Sequence, residues 1–187
     1  MWAAVRRVSR MAQRSALPVM LVGFDDAWKR LDARLAGLTQ EEYLWEPVEH
    51  AWTVRETPDG WLADWEEPDP DPAPVTTIAW RLWHVASDCL ADYLRHSDVP
   101  RPIAVNGRAW YGDVEAALAD LRAAAAGFRS TMAGLGEDGI WSPMGPRWGR
   151  YGDEPWAALL VHASDELSHH GAEIALLRDL WRWRSGR

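Results

Sequence analysis

Apolar residues along the chain recur at three- and four-residue steps, the period of helices that bury one side. Leu21, Phe24, Trp28, Leu31 and Leu35 predict a first helix over Val19–Leu38, with Asp25, Asp26, Lys29, Arg30 and Asp32 outside and Gly37 closing it. A second is predicted over Thr76–His96, capped by Thr76 or Thr77 and ended by Val99-Pro100-Arg101-Pro102. Val114, Leu118, Leu121, Ala125, Phe128 and Met132 predict a third over Asp113–Leu135, with Gly134 and Gly136 at its end. Leu159, Ala163, Leu167, Ile174, Leu177 and Trp181 predict a fourth over Glu154–Arg184. Asp153 is its expected N-cap, Pro155 suits its first turn, and Arg178, Arg182 and Arg184 complement the negative end of its dipole.

No period-two pattern is sustained, so the fold class is all-α: one four-helix bundle over residues 19–184. Long connections after helices one and three allow a crossed path. The first, Trp45–Pro74, holds Pro47, Pro58, Pro68, Pro70, Pro72 and Pro74 among many acidic residues. It reads as a solvated wrap across the bundle; the competing reading is a lid whose Trp52, Trp61 and Trp65 cover a pocket. Residues 1–18 read as a flexible N-terminal extension, with Arg6, Arg7, Arg10 and Arg14 and no secretory-type apolar core.

The fourth helix interrupts its own apolar pattern with His162, Glu166, His169 and His170. His162, Glu166 and His170 follow at i, i+4 and i+8 and so share one side. A carboxylate and an imidazole beside a core stripe are costly unless paired, and a metal ion is one such partner. One helix supplies two ligands, and a third must come from a facing element. His84 on the second helix is the candidate, with Asp88 one turn beyond. The plain alternatives are a hydrogen-bonded Glu166–His170 pair without metal, or Glu166 paired with Arg81.

The sequence has 187 residues, enough for one domain with a full core. Its net charge of −8 argues against nucleic acid as a partner, and no apolar run approaches the length of a membrane span. The single cysteine, Cys89, excludes an internal disulfide and fits a reducing, cytoplasmic setting. It reads as a buried structural thiol; a nucleophile is the competing reading, with no clear base to support it. Fourteen tryptophans are many for this length; most read as core filling, and those near the histidines as pocket lining.

Val75-Thr76-Thr77-Ile78-Ala79-Trp80-Arg81-Leu82-Trp83-His84 and His169-His170-Gly171-Ala172-Glu173-Ile174-Ala175-Leu176-Leu177-Arg178-Asp179-Leu180 resemble the actinobacterial branch of the DinB-like superfamily. So do Trp45-x-Pro47 after the first helix and Gly60-Trp61-Leu62-Ala63-Asp64-Trp65 before the second, and the resemblance runs in order from Met20 to Trp181. That superfamily includes YfiT-like hydrolases and transferases that use mycothiol or bacillithiol. The resemblance implies a four-helix bundle holding a metal through one histidine of helix two and two ligands one turn apart on helix four. Carried over, these fall on His84, on Glu166 where the family usually has histidine, and on His170.

Together these readings give a divalent-metal enzyme acting on a small molecule by hydrolysis or thiol transfer. Two imidazoles and a carboxylate suit zinc first, and also nickel, iron or manganese. The transferase branch implies a thiol cosubstrate. His162 and His169 are candidate proton shuttles, and Asp88 a candidate to orient His84. Protons are expected to compete with the ion below about pH 6.5. The alternative from a different class is a non-catalytic bundle that binds a small apolar ligand or forms a homodimer.

Overall fold

A computed structural model describes residues 15–68, 70–95 and 107–184. Residues 1–14, which make up most of the expected extension, lie outside the described residues, as do His96 and the Val99–Pro102 turn. The elements are α1 (Leu17–Leu35), α2 (Gln40–Tyr43), β1 (Val54–Thr57), β2 (Gly60–Ala63), α3 (Ile78–Trp83), a π-helical segment (His84–Ala91), α4 (Asp92–Arg95), α5 (Val114–Ile140), a 3-10 turn (Pro146–Tyr151) and α6 (Trp156–Trp183). Segments α3, π and α4 form one continuous second long helix. The four expected helices are therefore present, and the fold is all-α apart from one small hairpin.

Local chemistry sets most of the helix ends. Thr77 caps α3, its Oγ1 accepting the Trp80 N–H at 3.2 Å, and Asp113 caps α5 by accepting the Ala116 N–H at 2.8 Å. Gly37, at φ 68°, follows α1, and Gly136, also at φ 68°, breaks α5 near the expected end of the third helix. Two expectations fail at α6. Asp153 does not cap it: Pro155 holds the N-cap position in an extended conformation with no side-chain cap. Arg178 does not face solvent at the dipole end either, but is buried at 3% exposure.

Side-chain pairs give the helix directions. Arg129 pairs with Asp25 and Arg122 with Asp32, so α5 runs antiparallel to α1. Arg34 bonds the Ala175 carbonyl and Asp179, while Gly171 sits against Leu31, so α6 runs parallel to α1. Arg81 meets Glu173 and Tyr93 meets His162, so the second long helix runs antiparallel to α6. The second and third long helices therefore share a direction. The crossed path falls between them, not after helices one and three. The core between the four helices is filled by Phe24, Leu31, Leu82, Leu121, Phe128 and Leu160, all fully buried, with Phe24 stacked on Phe128 at 5.4 Å.

The wrap is more ordered than a solvated connection. β1 and β2 pair antiparallel with Thr57 opposite Gly60. Its flanks are pinned to the start of α3: the Trp52 N–H donates to the Val75 carbonyl and the Thr77 N–H to the Trp52 carbonyl, both at 2.8 Å. The indole N–H of Trp80 donates to the Asp64 carbonyl at 2.8 Å. Trp61 lies so close to Gly112 that a Cβ there would fall 2.1 Å from the indole ring; only glycine fits.

Arg178 ties three segments together. Its Nε and Nη2 donate to the two carboxylate oxygens of Glu42 at 2.7 and 3.0 Å, and Nη1 donates to the carbonyls of Arg34 and Ala36. The end of α1, the short α2 and the far half of α6 are joined at one buried, bidentate pair. Arg178→Ala would leave Glu42 buried without its cation, a change that costs about 3–5 kcal/mol. Urea unfolding should show a loss of that size; a loss below about 1 kcal/mol would mean that water replaces the guanidinium.

Candidate metal centre

His84, Glu166 and His170 converge between the second long helix and α6. Glu166 Oε2 lies 3.4 Å from His84 Nε2 and 3.1 Å from His170 Nε2. The two imidazoles meet edge to face at 4.7 Å. Packing fixes each ring: His84 stacks on Trp80 at 5.3 Å and 11°, and His170 is buried at 5% exposure. The i, i+4 spacing of Glu166 and His170 aims both from one face of α6.

The outer nitrogens of both rings are held by carboxylates. His84 Nδ1 lies 3.0 Å from Asp88 Oδ2, and His170 Nδ1 lies 2.7 Å from Glu173 Oε2. A carboxylate only accepts, so His84 Nδ1 donates to Asp88; His170 Nδ1 also lies 3.2 Å from Arg81 Nη1, itself a donor, and the closer Glu173 carboxylate favours a proton on that nitrogen as well. Arg81 buttresses Glu173: Nη2 donates to Oε1 at 3.1 Å, and Nε lies 3.0 Å from Oε2 without hydrogen-bond alignment, a Coulombic contact. Arg81 thus pairs with Glu173 and not, as weighed above, with Glu166.

With Nδ1 protonated, each neutral imidazole presents an Nε2 lone pair to the lone pairs of Glu166. Something positive must lie between them, either protons or a cation. Without an ion, protons shared in hydrogen bonds can supply that charge. Burial works against the charged form of His84, but hydrogen bonds to Asp88, Cys89 and Glu166 outweigh it and push its pKa up to about 11. For His170, burial is likewise outweighed by Glu166 and Glu173, and its pKa rises. Hydrogen bonds from His170 and His84 hold the Glu166 carboxyl well below the usual carboxylate range.

A fourth side chain adjoins this group. Cys89 Sγ lies 3.5 Å from His84 Nε2 and 3.4 Å from Glu166 Oε2, and the potential ligand atoms of His84, Cys89 and Glu166 all fall within 4.8 Å of one another. The thiol is buried, as expected, but the sequence reading gave it no part in this cluster. Burial pushes the free Cys89 thiol up. A second group of the same kind comprises His169, His170 and Glu173. His169 stacks on His170 at 4.5 Å but is largely exposed, its Nε2 3.4 Å from Glu173 Oε1. His162 is also exposed, with Nε2 3.7 Å from Glu166 Oε1.

Two cavities flank the centre. One of about 400 Å³ is lined by Tyr93, Met144, Trp148, Tyr151, Leu159 and His162. The other, about 260 Å³, is lined by Trp52, Trp65, Trp80, Arg81 and His84. Trp52 and Trp65 of the wrap thus cover a cavity at His84, as the lid reading expected, whereas Trp61 packs on Gly112 instead.

A family model described as the DinB superfamily matches residues 23–174. The chain belongs to the DinB superfamily. No curated protein and no solved structure matches it. Within this DinB-superfamily bundle, sequence reasoning missed two members of the cluster as participants. Glu173 was findable from its i+3 spacing to His170. Cys89 was not, because its position depends on a π-helical turn that leaves no periodic signal.

The raised His84 pKa has a stability consequence. A group whose pKa is higher in the folded than in the unfolded chain stabilises fully below the unfolded value, 6.5, and loses that contribution as pH rises through the folded value, about 11. In chelator, the stability advantage of the native protein over His84→Gln should therefore shrink as pH rises from about 6.5 toward 10. Thermal melts across that range test it; a gap that stays constant would mean that His84 is not protonated in the metal-free state.

Proposed function

We propose that this DinB-superfamily protein is a divalent-metal-dependent enzyme that acts on a small molecule by hydrolysis or thiol transfer, with His84, Glu166 and His170 holding the ion. One observation carries the reading. Each Nδ1 has a carboxylate as its nearest partner, which leaves both Nε2 atoms to face Glu166 Oε2, an arrangement that calls for positive charge between them. A dication can replace the two bridging protons charge for charge, and the carboxylate-backed histidines match the way metal-binding imidazoles are oriented elsewhere. The donor set of two imidazoles and a carboxylate favours zinc, with nickel, iron and manganese as weaker fits.

When bound, such an ion polarises a substrate carbonyl and lowers the pKa of a water or thiol, which makes a nucleophile near neutral pH. The protein's side chains do the remaining work. Asp88 and Glu173 hold the two imidazoles in the tautomer that points Nε2 inward. Arg81 fixes Glu173. His162, which is exposed, lines the larger cavity and lies 3.7 Å from Glu166, is a candidate to pass a proton between cavity and solvent. His169 faces outward beside Glu173 and serves at most an outer relay. Both cavities suit parts of a small molecule, with aromatic walls and few charged groups.

Metal analysis of protein purified without a histidine tag should find about one divalent ion per chain, and His84→Ala, Glu166→Gln and His170→Ala should each lower its affinity by at least about tenfold. Because His84 holds its proton to high pH in the metal-free chain, competition extends above neutrality, beyond the 6.5 expected for a free imidazole, and zinc affinity should keep rising from about pH 6 to 9. Titration calorimetry in buffers of different ionisation enthalpy would register the released protons. A protein that binds none of zinc, nickel, iron(II) or manganese tightly, or a Glu166→Gln variant that binds as well as the native chain, overturns the reading.

A further inference from the structure

We propose that Cys89 is a fourth protein donor to this ion, so that the centre is a thiolate-containing His84–Cys89–Glu166–His170 site selective for zinc-like metals. The inference rests on the metal reading above but goes beyond it, since that reading requires no sulfur.

The backbone supplies the first ground. In an α-helix, residues five apart stand about 140° from one another around the axis. His84 and Cys89 would then face different neighbours. The segment His84–Ala91 is instead π-helical, and hydrogen bonds spanning five residues bring the fifth residue back to the side of the first. That turn begins at the histidine and carries the thiol to 3.5 Å from Nε2 of His84, the same atom proposed to bind the ion.

The second ground is the direction in which the thiol points. Cys89 is 3% exposed, and its Sγ is within hydrogen-bonding reach of Glu166 Oε2 at 3.4 Å, across the helix–helix interface. A structural thiol on this buried stretch would be expected to sit among apolar side chains, as Leu90 and Leu94 do. Imidazole nitrogen, sulfur and carboxylate oxygen of His84, Cys89 and Glu166, from two helices, thus lie within 4.8 Å of one another, and His170 Nε2 adjoins the same Glu166 oxygen at 3.1 Å. On metal binding the S–H bond breaks, a metal–sulfur bond forms, and the proton passes to the buffer.

A sulfur ligand changes what the centre selects. Imidazole and carboxylate alone favour zinc but still admit manganese and iron(II), whereas a thiolate strengthens the preference for zinc and its spectroscopic substitute cobalt. The arrangement also gives Tyr93 a place. Four residues beyond Cys89, it interacts with the thiol and lines the larger cavity, so it connects the sulfur to that cavity.

The test uses the full chain, stripped of metal by chelator, in thiol-free buffer under nitrogen, titrated with cobalt(II). Because the chain has one cysteine, a near-ultraviolet sulfur-to-cobalt charge-transfer band in the native protein should come from Cys89. The expected result is that band together with the visible cobalt bands, and loss of the first with retention of the second in Cys89→Ser. Cys89→Ala serves as a second variant should the serine hydroxyl perturb folding, with far-ultraviolet circular dichroism confirming that each remains helical. Zinc affinity should fall by about tenfold or more in both variants, while manganese affinity changes little. Visible cobalt bands without the charge-transfer band in the native protein overturn thiolate ligation and leave the three-ligand centre standing. A charge-transfer band that persists in both variants also overturns it. No cobalt bands at all overturn both readings together.

Discussion

The candidate site depends on one carboxylate oxygen. Glu166 Oε2 faces two imidazoles whose other nitrogens are already committed to Asp88 and Glu173. That commitment removes the freedom of each ring to turn its protonated nitrogen inward and its bare nitrogen outward. The inward side must then be filled with positive charge, and the helices that carry these residues are held at the separation the charge requires. Much nearby architecture serves that constraint: Trp80 stacked on His84, Arg81 behind Glu173, and the wrap pinned at Thr77 so that the second long helix starts where Arg81 meets Glu173.

The larger frame is held elsewhere and by different means. Arg178 and Glu42 lock the end of α1 to α6 with a buried bidentate pair, and the parallel packing of these two helices sets the face from which Glu166 and His170 project. A charged pair without exposure contributes more to defining one arrangement than to net stability, because desolvation offsets much of the attraction. Here it determines which end of the bundle α6 runs toward. The metal-capable cluster sits about two helical turns nearer the start of α6, on the opposite partner helix.

The helices were legible because their apolar residues repeat with the period of the buried face, and Thr77, Asp113, Gly37 and Gly136 mark real ends. His84, Glu166 and His170 were legible as a possible trio from spacing on two helices and from the family resemblance. The hairpin was missed although Pro58-Asp59-Gly60 is a turn signal; with four-residue strands there is too little alternation to register. Arg178 was misplaced because an arginine near a helix end is usually solvated, and nothing local announces a buried Glu42 on a distant segment. The direction of the third helix was illegible for a similar reason. Amphipathic stripes say which face is buried but not which way the chain runs past its neighbours.

The π-helical stretch sets the placement of Asp88 and Cys89 by counting. Asp88 reaches His84 four residues on, a spacing that an α-helix also allows, but Cys89 reaches it five residues on, and that second relation holds only while the extra residue of the wider turn stays in place. Removal of a single residue from this stretch would let the backbone relax to the tighter α-helical winding and rotate everything after the gap by about 100°, so Tyr93 and the cavity wall would swing away even if every functional side chain were retained. A substitution along this segment leaves that count intact, whereas an insertion or a deletion changes it. The number of residues between the histidine and the tyrosine is under tighter constraint than the identity of most of them.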